Sequence, residues 1–140
     1  MIAPDSSVLI AGADPRHPFF DDAATALLEV RDSGVLIAHT LAETYSVLTG
    51  PTYRRPGHRV LEFLAQLLRR DPIGIPPESY PDALTELAAA GIAGGALYDG
   101  LIALGARRQH ATLVSLDQRA AGTYRRCGID FRLLLPEGAS

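Results

Sequence analysis

The sequence predicts an α/β fold with a central, mainly parallel sheet flanked by helices. Three observations support this. Short apolar runs of strand character alternate with longer stretches of helical periodicity along the chain. Acidic residues stand where strand-like runs hand over to helical ones, as at Asp5 and Asp117. Finally, the 140 residues contain no repeat, low-complexity tract or linker, so residues 1–140 are expected to form a single domain.

Taken in order, the apolar residues 2–4 form a first strand, and Ser6-Ser7-Val8-Leu9 opens a helix after Asp5. Ala24, Leu27, Leu28 and Arg31 lie at helical spacing within residues 19–33, with Gly34 in the position of a C′ glycine. Residues 35–38 read as a strand, and Thr40 starts a helix that reaches Leu48. Residues 50–57, with two prolines, two glycines and Arg54-Arg55 beside Tyr53, form a loop. Leu61, Leu64, Leu67 and Leu68 mark the buried face of a helix over residues 59–70. Residues 73–75 are a brief strand, and residues 78–90 a helix broken by Gly91. The helix at 98–109, the strand at 112–116, the helix at 118–126 and a last strand at 131–135 complete the alternation.

Composition narrows the function. No apolar run approaches the ~18 residues of a membrane span, since the longest, residues 96–106, contains Asp99. No basic segment followed by an apolar one opens the chain, so a cytoplasmic location is expected. The lone Cys127 suits a reducing compartment and reads as a structural thiol. Net charge is −3, but setting four central acids aside leaves twelve acids against thirteen bases. Every base is arginine, whose planar fork suits phosphate oxygens. A GC-rich coding sequence would raise Arg, Ala, Gly and Pro together with the same result.

Those four acids are Asp5, Glu43, Asp99 and Asp117. Three of them have a local explanation to overcome. Asp5 and Asp117 are good N-caps. Thr40 and Glu43 have the spacing of a capping box, which would direct the glutamate onto its own helix end. Asp99 is the exception: it lies in Gly94-Gly95-Ala96-Leu97-Tyr98-Asp99-Gly100-Leu101-Ile102, where almost every neighbour is small or apolar and an unpaired carboxylate is costly. A parallel sheet would gather acids at strand ends on one edge. Two carboxylates ~4 Å apart repel by ~4 kcal/mol at an effective dielectric near 20, so such a cluster calls for a cation. Oxygen-only donors favour Mg²⁺ or Mn²⁺ over Zn²⁺. His17, His39, His58 and His110 are scattered and read as structural or exposed.

Four blocks, in order and each centred on an acid, resemble the PIN-domain nucleases and among them the VapC-type toxins of bacterial toxin–antitoxin pairs. They are Asp5-Ser6-Ser7-Val8-Leu9-Ile10, Leu41-Ala42-Glu43-Thr44-Tyr45-Ser46-Val47-Leu48-Thr49, Gly94-Gly95-Ala96-Leu97-Tyr98-Asp99 and Leu113-Val114-Ser115-Leu116-Asp117-Gln118-Arg119-Ala120. The resemblance implies a three-layer PIN-like fold, an RNA substrate, Mg²⁺ or Mn²⁺ as cofactor, a homodimer and a VapB-like antitoxin. By position it makes Asp5 and Asp99 direct metal ligands, Glu43 a ligand or the base acting on water, and Asp117 a second-metal or water-mediated ligand. Ser7 and Ser115 become supporting hydroxyls. Pro4 and Gly50-Pro51 depart from the pattern, which bears on the substrate groove rather than the chemistry.

Tyr53, Arg54 and Arg55 have the types that stack on bases and contact phosphates, although a solvated loop or an antitoxin contact explains them more simply. Receiver-type and haloacid-dehalogenase-like domains also gather aspartates, and both normally need a lysine; a P-loop enzyme needs one too. The chain has none. A non-catalytic PIN-fold binding partner is the remaining alternative, and it would be marked by loss of a central acid.

Overall fold

A computed structural model describes residues 1–134. Among these, three strands, β1 (Ile2–Pro4), β2 (Thr112–Ser115) and β3 (Phe131–Leu133), form a parallel sheet in the order β1-β2-β3. Leu135, the expected end of the last strand, lies outside the described residues. Seven α-helices surround the sheet: α1 (Ser6–Ala13), α2 (Phe20–Ser33), α3 (Ala38–Thr49), α4 (Gly57–Leu67), α5 (Tyr80–Ala89), α6 (Ala96–Arg108) and α7 (Gln118–Arg126).

Side-chain alternation along the strands sorts the core into two layers. Ile2 and Val114 join Val8, Leu9, Leu27, Leu48 and Leu64, placing α1 to α4 against one face. Ala3 and Leu113 join Leu87, Ile102, Ala120 and Tyr124, placing α5 to α7 against the other. The two helical layers with the sheet between them give the expected three-layer arrangement. Helix α6 is buried at seven consecutive positions, Gly100 to Ala106, which requires the small and apolar sequence seen there.

Several local expectations are corrected. Residues 35–38 do not form a sheet strand. The Val35 N–H donates to the Ile2 carbonyl at 3.0 Å. The next bond of a parallel bridge would need an N–H from residue 4, which is proline and has none. The segment instead makes one isolated parallel bridge, Ile37 with Ile73, so residues 73–75 are not a strand either.

Helix α3 consequently starts at Ala38 with Ile37 as its N-cap, not at Thr40. Gly34 ends α2 with extended backbone (φ −98°), not as a left-handed C′ residue. What demands glycine there is space, since a Cβ would stand 2.6 Å from the Ile2 carbonyl oxygen. The helix expected over 78–90 is a 3₁₀ turn, Pro77–Ser79, followed by α5. No helix of the described residues is long and apolar enough to cross a membrane.

Candidate active site

The sheet register builds the site first. Pro4 pairs with Val114, and the Asp5 N–H donates to the Val114 carbonyl at 2.9 Å, so Asp5 leaves β1 beside Ser115 at the end of β2. Asp5 is the N-cap of α1, its Oδ1 accepting from the Ser7 N–H at 3.0 Å and also from the Ser7 hydroxyl. The Tyr124 hydroxyl donates to its Oδ2 at 2.7 Å. Only 3% of Asp5 is exposed. Burial pushes its carboxyl above the ordinary value, while the hydroxyls of Ser115, Ser7 and Tyr124 oppose that rise.

Ser7 and Ser115 tie the two strand ends together. The Ser7 hydroxyl accepts from the Leu116 N–H at 2.9 Å and stands 3.4 Å from the Ser115 hydroxyl. Ser115 accepts from the Asp117 N–H at 3.0 Å. Asp117 then caps α7, its Oδ1 accepting from the Arg119 N–H at 2.9 Å. Asp5 and Asp117 are therefore N-caps and also members of the acidic group, because one carboxylate has lone pairs for both tasks.

Glu43 is not in a capping box. Helix α3 begins two residues before Thr40, and Glu43 instead accepts from the Ser6 hydroxyl at the start of α1. Thr40 and Thr44 are fully buried, and their hydroxyls have no hydrogen-bond partner among the described residues.

Asp99 occupies the first turn of α6, half-buried. Its carboxyl is pushed up to about 6, by burial first and then by the negative charges of Glu43, Asp117 and Asp5. The structure thus brings Asp5 from the β1–α1 junction, Glu43 from α3 and Asp117 from the β2–α7 junction within electrostatic reach of Asp99 on α6. No basic side chain contributes to the Asp99 shift. Oxygen-only donors around an uncompensated negative centre are the chemistry a hard divalent cation fits. The side chains as they stand are not a ligand set, since no three His, Cys, Asp or Glu among the described residues are arranged to hold an ion. Asp5 and Glu43 are directed onto serine and tyrosine hydroxyls instead.

Other residues are used elsewhere. Arg55 hydrogen-bonds the Ala13 carbonyl at the end of α1, and its guanidinium lies 5.5 Å from the Tyr53 ring centre. Arg54 bonds the Pro51 carbonyl at 3.1 Å. That loop is fastened to the scaffold. His17 Nδ1 accepts from the Phe19 N–H at 3.1 Å, and His39 stacks on Tyr98 with ring centres 5.2 Å apart. Cys127 is buried and unpaired, its thiol pushed up by burial. Sequence reasoning missed Tyr124. The available signal was a tyrosine on the small, apolar face of a short helix, seven residues after Asp117.

The PIN domain family model matches residues 2–125. Ribonuclease VapC40 from two strains of Mycobacterium tuberculosis is 38% identical over 137 residues, covering 96% of this chain and 99% of the relative. Ribonuclease VapC27 from the same species is 35% identical, covering 91% and 93%. A chain from the solved structure of FitAB bound to an IR36 DNA fragment superposes with a TM-score of 0.71 over 99% of this chain at 18% identity, a likeness of fold alone. All four acids fall within the matched span. The chain belongs to the PIN-domain family and, within it, to the VapC group.

Proposed function

We propose that the chain is a metal-dependent endoribonuclease that acts as the toxin of a type II toxin–antitoxin pair and hydrolyses RNA phosphodiester bonds with an activated water. The observation that supports it is the Asp99 carboxyl, pushed up to about 6 by burial first and then by the charges of Glu43, Asp117 and Asp5, which gather around it from three other elements. Strain of this kind is typical of functional sites. Asp5 and Asp99 would hold Mg²⁺ or Mn²⁺ directly, with Glu43 and Asp117 completing the site. Once bound, such a cation acidifies water and offsets negative charge developing at phosphorus.

The chain's own groups do the rest. Glu43, held by Ser6, accepts the proton of the attacking water. Ser7 and Ser115 keep the two strand ends, and with them Asp5 and Asp117, at fixed separation. No nucleophilic side chain is required and no covalent enzyme intermediate forms. The partners are RNA, a VapB-like antitoxin and a second copy of the chain in a homodimer.

Purified protein is expected to cut RNA in Mn²⁺ or Mg²⁺, to stop on addition of EDTA and to recover when metal is returned in excess. Asp99→Asn is expected to abolish cleavage while remaining folded by circular dichroism. Chelator-resistant cleavage, or undiminished cleavage by Asp99→Asn, would reject the site. Sequencing RNA 5′ ends after brief induction identifies the target.

A further inference from the structure

Tyr124 is fully buried, and its hydroxyl donates to Asp5 Oδ2 at 2.7 Å. Packing alone does not call for that hydroxyl. Phe131 meets the Tyr124 ring edge-on at 5.8 Å, and a phenylalanine would keep that contact without burying a polar group. The hydroxyl is explained by its partner.

Helix α7 serves the acidic group at two points on one stripe. Asp117 caps its start, and Tyr124, two helical turns later, returns to Asp5. Ala120 and Ala121 lie between them and are almost fully buried, small enough to let the helix lie close. Asp5 is thereby gripped on both oxygens, by Ser7 on Oδ1 and by Tyr124 on Oδ2. Ser7 comes from the same chain turn as Asp5, whereas Tyr124 comes from 119 residues away. Tyr124 thus ties Oδ2 to a distant helix, α7, while Ser115 at the end of β2 adds a second long-range hydroxyl on the same carboxyl group.

We propose that Tyr124 is a positioning residue that presets the Asp5 carboxylate for a divalent cation. This rests on the reading above that Asp5 is a metal ligand. Outer hydrogen bonds to ligating carboxylates hold them in their binding orientation, and their loss typically weakens metal affinity or activity about 10- to 100-fold. The hydroxyl touches neither RNA nor the reacting atoms; it acts through Asp5.

The test is calorimetric titration of Mn²⁺ into the full chain, with RNA cleavage and thermal melting measured on the same samples. Tyr124→Phe is expected to fold, to bind Mn²⁺ about tenfold or more weakly and to regain cleavage at high Mn²⁺. Phe131→Leu, which loosens the ring packing and keeps the hydroxyl, is expected to melt earlier with its Mn²⁺ affinity unchanged. Asp99→Asn is expected to lose cleavage at every Mn²⁺ concentration. A folded Tyr124→Phe that binds Mn²⁺ as the wild type does, or a Phe131→Leu that weakens binding equally, overturns the positioning role and leaves the metal reading standing. A wild-type chain that takes up no Mn²⁺ overturns both.

Discussion

Replacing Asp99 by asparagine is expected to stabilise the metal-free protein while removing its activity. The wild-type carboxyl moves from 3.8 to about 6 on folding, through burial and the charges of Glu43, Asp117 and Asp5. At about 1.4 kcal/mol per tenfold change in proton affinity, the whole shift corresponds to about 3 kcal/mol. Asp99 is only half-buried, so solvent screening reduces the realisable part to about 1 kcal/mol. The folded state holds this proton more tightly than the unfolded chain does. The penalty is therefore absent below pH 3.8, grows as pH rises from there to about 6, and is complete above that. Asparagine never pays it. In EDTA at pH 8, Asp99→Asn should melt about 3 °C above the wild type, and the gap should shrink by about half at pH 5. Circular dichroism melts at the two pH values measure this. A variant no more stable than the wild type at pH 8, or a gap that does not narrow at pH 5, would refute the reasoning.

Other perturbations probe the scaffold. A Cβ on Gly100 would stand 2.7 Å from Leu87 Cδ2 at the α5–α6 contact, so Gly100→Ala should cost about 1–3 kcal/mol in denaturant unfolding. Thr44→Val removes a fully buried hydroxyl with no partner among the described residues and should raise stability by about 1 kcal/mol; a lower melting temperature would mean that the hydroxyl is satisfied. Leu113→Ala, at a fully buried position in the central strand, should cost about 2–5 kcal/mol by the same unfolding measurement.

Asp99 was legible as unusual because an acid amid small and apolar residues has no cheap structural explanation. Asp5 and Asp117 were legible as strand-end acids, and the structure gives each the capping role that local reasoning also offered. For Glu43 the spacing offered a rival local explanation, which the structure removes. The T-x-x-E pattern is a capping box only if the helix starts at the threonine, and the Ile37–Ile73 bridge moves that start to Ala38. The same stretch failed as a strand because Pro4, on a different element, has no N–H to give it. Tyr124 was missed because its partner is 119 residues distant, and a tyrosine on the small, apolar face of a short helix does not by itself say what its hydroxyl meets.

The sequence by itself determined the α/β class, the order of most elements and the oddity of Asp99, since periodicity, caps and the cost of a buried charge are local and additive along the chain. Glu43 entered the candidate set through the family resemblance. Only the tertiary structure decided which groups share those carboxylates: Ser6 on Glu43, Tyr124 on Asp5, and three negative charges on Asp99. Hydrogen bonds and electrostatic fields depend on distances through space. Parallel crossovers set those distances by bringing residues 5, 43, 99 and 117 to one edge of the sheet, which spacing along the chain does not specify.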